Sequence, residues 1–340
     1  GKGSTSIWLR DLLMKKGYRV GVFTSPHLIH HTERIRVNDA CISLDDWERI
    51  YDQYEGLFSL HKMTMFEMDL WMSLAYFIEQ KVDYCIIEAG MGGRLDATTA
   101  LDYQACLITN VGLDHTEYLG NTFEQIAYEK SGIFKPNVPA LTTEDKPECR
   151  KVMKLVADYM NTPLCFIDCQ ETDVLRWNGM TFHLNPPLYQ AKNLSLALET
   201  LNVLGIWLEE NEIQEVIDHF QWAGRFMILR KDPLVLLDGA HNVHGITALT
   251  HSLKDFKGKI YFSVLKEKDA PHMIELLQTI SKDITLVEIS SARLYPLEKL
   301  GYPIITVDEL ISRLLDTKED SLLCGSLYYV GEVLEKWGNV

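Results

Sequence analysis

Positive charge is in short supply. Only 33 Lys and Arg stand against 48 Asp and Glu, which leaves a formal net charge of −15. So acidic a chain has no global field to draw in polyanions. That excludes a general nucleic-acid partner and requires any anionic ligand to be held by a local cluster of Lys, Arg, His and backbone N–H groups. Also missing are an apolar run long enough to span a bilayer and a recognisable signal peptide, so a cytoplasmic protein without a membrane partner is expected. A paired-cysteine framework is absent too. Cys41, Cys85, Cys106, Cys149, Cys165, Cys169 and Cys324 are an odd number, and several lie in apolar runs such as YCIIEAG and SLLCGS, the setting of buried reduced thiols. The spacing of Cys165 and Cys169 matches neither a redox pair nor a zinc knuckle. No repeat or low-complexity tract occurs, which excludes a solenoid or a disordered chain.

What is present is enough apolar material for large cores: 340 residues, 46% of them hydrophobic, a size that suggests two domains. Short β-rich runs alternate with amphipathic helical stretches, the pattern of a doubly wound parallel sheet. In the first part strands are predicted at 18–23, 84–89, 105–111 and 163–168, and helices near 44–60, 65–81, 121–134, 145–160 and 190–204. From WAGRFMILRKDPLVLLDGAHN the alternation restarts, with strands near 234–238, 259–264, 284–289 and 320–324 and helices near 243–255, 269–281, 306–316 and 326–337. The expected fold is therefore α/β: a phosphate-loop-containing, doubly wound domain over 1–224, then a smaller Rossmann-like α/β domain over 225–340.

The chain opens on Gly1-Lys2-Gly3-Ser4-Thr5, which runs directly into a helical pattern that Gly17 stops. Glycines that bare backbone N–H groups, a lysine, and a hydroxyl where a helix begins are the parts of a phosphate loop. The strand that should precede such a loop is not there, so a chain shortened at its N-terminus is expected. A plain glycine turn with a helix cap suits the same five residues. Three further loops end strands, where ligands gather in an open parallel sheet: Thr24-Ser25-Pro26-His27-Leu28, Glu88-Ala89-Gly90-Met91-Gly92-Gly93-Arg94-Leu95-Asp96, and Asn110-Val111-Gly112-Leu113-Asp114-His115. Together they would bring a hydroxyl, a carboxylate and an imidazole to one point, a donor set compatible with Mg²⁺. Each has a plainer reading. Ser25 before proline starts turns, and His115 alone is more often a structural histidine. The glycines after Gly90 are misplaced for a dinucleotide loop. His27, His30 and His31 lack the helical spacing of a zinc site and read as a solvated turn.

The motifs GKGST, TSPHL with ERIRVN, TMFE, EAGMGGRLDAT, ITNVGLDHTEYLGNT with IAYEKSGI, YQAKNLSLAL, WAGR, LDGAHN, LKEKD and LCGSLYYVGEV occur in an order that resembles the folylpolyglutamate synthases and dihydrofolate synthases. These are ATP-dependent amide ligases of the muramyl-ligase type, and the resemblance covers essentially the full chain. It implies a phosphate cradle from Gly1, Lys2, Gly3, Ser4 and Thr5, with Lys2 on the β- and γ-phosphates. It implies magnesium ligands at Ser25, Glu88 and His115, and a carbamate on Lys130, which in isolation is a helix-surface charge. Nucleotide contacts are implied at Asn193, Arg225, Asp238 and His241, and a pterin-bearing pocket at Phe66 and Asp96, although a Phe in a helical stretch is most often core. Lys2, Lys130 and His115 would be catalytic, ATP and Mg²⁺ the cofactors, and folate or dihydropteroate with L-glutamate the partners of a monomeric enzyme. Thr99, Ala223 and Val243 depart from the family's DATN, WPGR and HNP. None removes a charge assigned to ATP, but Thr99 leaves the acceptor open. A transport or switch ATPase, a muramyl-peptide or cyanophycin-type ligase, and a non-catalytic nucleotide- or folate-binding fragment remain the alternatives.

Overall fold

The computed structural model describes residues 1–185 and 187–338; Pro186, Asn339 and Val340 lie outside that description. Contacts divide the chain into two units: Gly1–Asn185 with Gln190–Phe220, and a second made chiefly of the chain from Gln221 onward.

In the first unit the helix Lys2–Lys15 buries Ile7, Trp8, Leu9, Leu12 and Leu13, and Trp8 stacks on Phe220 at 3.5 Å. The next strand, Val20–Phe23, pairs in parallel with Tyr84–Ile87 and antiparallel with Ile35–Val37, which continues to Ala40–Cys41. Parallel pairing needs a crossover, and the helices Leu44–His61 and Met65–Glu79 supply it. Each begins where its side-chain chemistry dictates. Ser43 caps the first, and Thr64 with Glu67 forms a capping box on the second. Their apolar faces, with Ile50, Phe58, Met72 and Phe77, pack on Phe23 and Ile35 as one core. Gly21 is needed there, since a Cβ at that position would lie 2.7 Å from the Phe77 ring.

A second, three-stranded parallel sheet joins Cys106–Ile108, Ala140–Thr142 and Leu164–Phe166, and is covered by the helices Phe123–Ser131 and Pro147–Met160 through Ile126, Ala127, Cys149 and Met153. Tyr84–Ile87 and Cys106–Ile108 each border a cavity of about 500 Å³, so the parallel strands of this unit fall into two sheets, with apolar side chains such as Ile86 and Leu107 facing the space between. An antiparallel hairpin, Val174–Trp177 with Met180–His183, and the helices Gln190–Val203 and Glu210–His219 complete the unit.

The second unit is a six-stranded sheet in the order Met227–Lys231, Leu234–Asp238, Ser321–Cys324, Lys259–Phe262, Ile284–Glu288, Ile304–Thr306. Only the first edge pair is antiparallel. Leu236, Ile260, Phe262, Leu286 and Leu322 form its buried centre with Ile246, Met273 and Leu277 from the helices. Strands buried on both faces read as continuous apolar runs, which is why VLLD, IYF and SLLC were legible.

Candidate functional site

The register of the parallel pair Val20–Phe23 and Tyr84–Ile87 sets Phe23 opposite Ile87, so the chains leave the sheet side by side. The Glu88 N–H donates to Phe23 O at 2.9 Å, and the Ser25 N–H points at Glu88 Oε2 at 3.4 Å. Glu88 is 7% exposed. The first turn of the helix Lys2–Lys15 reaches the same place. Lys2 Nζ donates to Ala89 O at 2.7 Å and to Gly90 O at 2.9 Å, and stands 3.9 Å from Glu88 Oε1. Asn193 lies at the start of that helix: a Cβ on Gly1 would come 2.7 Å from Asn193 Oδ1 and 2.9 Å from Thr109 Cβ, and Thr5 Oγ1 donates to Asn193 Oδ1 at 3.4 Å. Ser4 and Thr5 are buried. The residues singled out at the chain start, Ser25, Glu88 and Asn193 are thus brought together.

Lys130 ends the helix Phe123–Ser131 and lines the cavity with Lys2, Glu88 and Asn110. Burial pushes its ammonium down to about 8, the positive charge of Lys2 pushes the same way, and the Asp114 and Glu144 carboxylates oppose both. Lys130 is therefore not the solvated helix-surface charge that its sequence setting suggests in isolation. The glycines of Gly90-Met91-Gly92-Gly93 serve this approach. A Cβ on Gly93 would meet the Lys130 carbonyl at 2.7 Å, and one on Gly132 would meet Arg94 Cα at 2.3 Å. The loop is laid directly on the helix and fastened by Arg94 to Glu129 at 2.8 Å. His115 adopts φ +52° ahead of the short helix Thr116–Leu119, its N–H donating to Asp114 Oδ1 at 3.0 Å. Among the described residues no group of three or more His, Cys, Asp or Glu is gathered as a metal cluster; the adjacent pair is Ser25 and Glu88.

Phe66 packs on Phe23 with ring centroids 5.4 Å apart, and a Cβ on Gly90 would lie 3.0 Å from its ring. Asp96 accepts from the Met91 N–H at 2.9 Å and from Thr98 Oγ1 at 2.6 Å, so it holds the same loop from the other side. His27 and His31 do not form the solvated turn expected of them. His31 Nε2 lies 2.6 Å from Asp69 Oδ1, and His27 Nδ1 accepts from Arg34 Nε at 3.0 Å. Burial, then the charges of Arg34 and His31, hold His27 below its ordinary value. Asp69, 2% exposed, draws His31 and Arg34 inward, and His27 follows through Arg34.

In the second unit Asp238 ends Leu234–Asp238. Burial raises its pKa; Arg225 and the N–H groups of Phe226 and Ala240, each at 2.7 Å, oppose that. Arg225 donates to Gly239 O at 3.2 Å and His241 Nδ1 lies 2.8 Å from the same oxygen, so Arg225, Asp238 and His241 share one turn. Sequence reasoning missed Ser263 and Ser326. Both hydroxyls are buried without a hydrogen-bond partner, where Lys259–Phe262 and Ser321–Cys324 end and the helix Leu327–Trp337 starts. The strand–Gly–Ser–helix order of SLLCGSLYY was the available signal.

The family model described as the Mur ligase middle domain matches residues 1–185. A dihydrofolate synthase/folylpolyglutamate synthase of Bacillus subtilis is 31% identical over 99% of this chain and 88% of that protein. A solved structure of Escherichia coli FolC in complex with DHPP and ADP superposes with a TM-score of 0.89 at 30% identity, covering 100% of this chain and 86% of that one. A bifunctional folylpolyglutamate synthase/dihydrofolate synthase with Mn, AMPPNP and L-glutamate bound gives a TM-score of 0.89 at 28% identity over 99% of this chain and 87% of that one.

Proposed function

The chain belongs to the dihydrofolate synthase/folylpolyglutamate synthase family of ATP-dependent amide ligases, and from that membership we propose that it joins L-glutamate to a folate-type acceptor, tetrahydrofolate, dihydropteroate or both. The observation that carries the reading is the convergence of the Lys2–Lys15 N-terminus, Lys2, Glu88 and Lys130 on one cavity, with the Ser25 N–H facing Glu88 beside it. In the stretch Gly1 to Thr5, the N–H groups of Lys2, Gly3 and Ser4 at the helix start suit a polyphosphate, the Thr5 N–H closes the first turn on Gly1 O at 2.9 Å, and Asn193 holds that start in place through the Thr5 hydroxyl. In the second unit Arg225, Asp238 and His241 are the proposed nucleotide contacts, and in the first Phe66 and Asp96 the proposed walls of the pterin pocket.

In the proposed reaction an acceptor carboxylate oxygen attacks the γ-phosphorus, the bond to the β,γ-bridging oxygen breaks, and ADP and an acyl phosphate result. The amine of glutamate then attacks the acyl carbon, loses a proton, and expels phosphate as the amide forms. Lys2 places positive charge beside the oxygens that gain negative charge. Oxygen donors suit magnesium, which pairs a few protein oxygens with phosphate oxygens. Ser25 and Glu88, with His115, would hold Mg²⁺, which when bound offsets charge on the transferring phosphoryl group. Lys130, with its ammonium pushed down to about 8, has a neutral form within reach at which nitrogen could add CO₂ and release a proton, giving a carbamate. We assign the enzyme to the cytoplasm as a monomer; no helix among the described residues is long and apolar enough to cross a membrane.

The test is phosphate release from ATP with glutamate present and tetrahydrofolate or dihydropteroate added in turn, with the product mass read in parallel. Release that depends on an acceptor and yields its glutamyl amide supports the reading. Phosphate release indifferent to both acceptor and glutamate overturns it in favour of a plain ATPase.

A further inference from the structure

Asp69 is a charged residue in the second turn of the apolar helix Met65–Glu79, 2% exposed and past the first turn, where the dipole contributes most. A carboxylate is expensive to bury unless it is paired and hydrogen-bonded. Its partners are Arg34 Nη1 at 3.1 Å on Oδ2 and His31 Nε2 at 2.6 Å on Oδ1. Arg34 is itself buried, and its remaining bonds go to a single loop: the main-chain oxygen accepts from the Thr24 N–H at 3.0 Å, and the side-chain Nε–H donates to His27 Nδ1 at 3.0 Å. Ser25 lies between those two anchors. Just beyond, the Glu33 carboxylate accepts from the N–H groups of Leu28, Ile29 and His30 at 2.8–2.9 Å, so the loop is fixed there as well. On its far side the Ser25 N–H faces Glu88 Oε2.

We propose that Asp69 is a positioning residue: by holding Arg34 it fixes the Thr24–His27 loop and so sets Ser25 against Glu88 in the geometry that binds a divalent cation. The inference rests on the functional reading above. Nothing about Asp69 touches a substrate, and its effect reaches the site through Arg34 and His27. Without the carboxylate, Arg34 is a buried cation with no counter-charge, and a guanidinium in that position turns toward water and releases His27. Groups behind metal ligands commonly change affinity 10–100-fold when they are lost.

The measurement is Mn²⁺ binding in the presence of ADP, followed by electron paramagnetic resonance of free Mn²⁺, on the full chain. Wild type, Glu88→Gln, Asp69→Ala and Asp69→Asn are compared, with each melting temperature recorded. Asp69→Ala is expected to raise the half-saturating Mn²⁺ concentration about tenfold. Asp69→Asn keeps an oxygen acceptor for Arg34 and is expected to recover at least half of that loss on a logarithmic scale. A lowered melting temperature with wild-type Mn²⁺ half-saturation in Asp69→Ala would make Asp69 a residue of the core alone and overturn the proposal. If Asp69→Ala does not fold, His27→Leu decides, since it removes the Nδ1 acceptor while leaving the Asp69–Arg34 pair. A raised half-saturation supports the proposal, and an unchanged one overturns it. Wild type that takes up no Mn²⁺ with ADP defeats the functional reading itself. Wild type that binds, beside a Glu88→Gln that does not, leaves that reading intact whatever Asp69 does.

Discussion

Glu88 keeps a carboxylate in a place where little water reaches it, with the Lys2 ammonium 3.9 Å from one oxygen and the Ser25 N–H 3.4 Å from the other. Glu88→Gln preserves that shape and removes the charge. Turnover is expected to fall about 10³-fold, the size of comparable electrostatic losses, with the melting temperature little changed; near-normal turnover in a steady-state assay would remove Glu88 from the metal site. Lys130 makes a different, pH-linked prediction. Its folded value near 8 lies below the ordinary 10.5, so between those values the unfolded chain binds the proton that the folded chain has lost. Stability therefore rises with pH across that window, and the penalty of the buried ammonium is fully present below pH 8. Urea titrations of wild type and Lys130→Met are expected to show Lys130→Met gaining relative stability below pH 8 and losing that advantage toward pH 10.5. A pH-independent difference would mean Lys130 is not held in that environment. Lys2 and Glu88 were legible as positions at a helix start and a strand end, whereas the burial of Lys130 was not. Nor was the joining of Asp69, Arg34 and His31 legible, because no spacing connects a carboxylate within a helix to a loop 35 residues earlier until the sheet brings them together.

Among the elements, those set in longer apolar runs were legible, the three-residue strands Cys106–Ile108 and Leu164–Phe166 among them, and those without such a run were not. Helices such as Met65–Glu79 and Val307–Asp316 carry capping boxes at their starts, and the central strands Leu234–Asp238, Lys259–Phe262 and Ser321–Cys324 of the second unit hold buried apolar runs. Ala140–Thr142 and Ile35–Val37 lie in no longer apolar run, and each is paired by a neighbouring strand that offers hydrogen bonds. The hairpin Val174–Trp177 with Met180–His183 did have a signal: Asn178 and Gly179 both take positive φ, the turn that Asn-Gly favours between two strands. The helix carrying Lys130 also depends on a glycine at an element boundary. Gly132 has an ordinary φ of −62°, but a Cβ there would lie 2.3 Å from Arg94 Cα and 2.6 Å from Arg94 N, both backbone atoms that cannot swing aside. Gly132→Ala is expected to destabilise by about 1–3 kcal/mol in urea unfolding, as other overpacked contacts do, and to lower turnover by moving Lys130. Wild-type stability in Gly132→Ala would show that the loop and helix are not in that contact.

For the whole molecule the charge of −15 separates what is bound locally from what is attracted at a distance. Within roughly one Debye length, about 10 Å at 0.1 M salt, a nucleotide phosphate would feel Lys2 and the N-terminus of Lys2–Lys15; beyond it, it would feel a net acidic surface. A polyanion that must lie across many surface charges has no such local refuge, whereas a compact one that fits the cavity mouth does. The chain is therefore expected to pass through a heparin column unretained at 50 mM salt and to leave duplex DNA unshifted. Mg²⁺ with ADP at a hundred times its dissociation constant should still stabilise the fold by about 2.7 kcal/mol. That gain should appear as a rise of several degrees in the melting temperature of wild type and be absent in Glu88→Gln. Retention on heparin with no thermal shift from Mg²⁺ and ADP would mean that the anion affinity of this protein lies on its surface and not at the helix start.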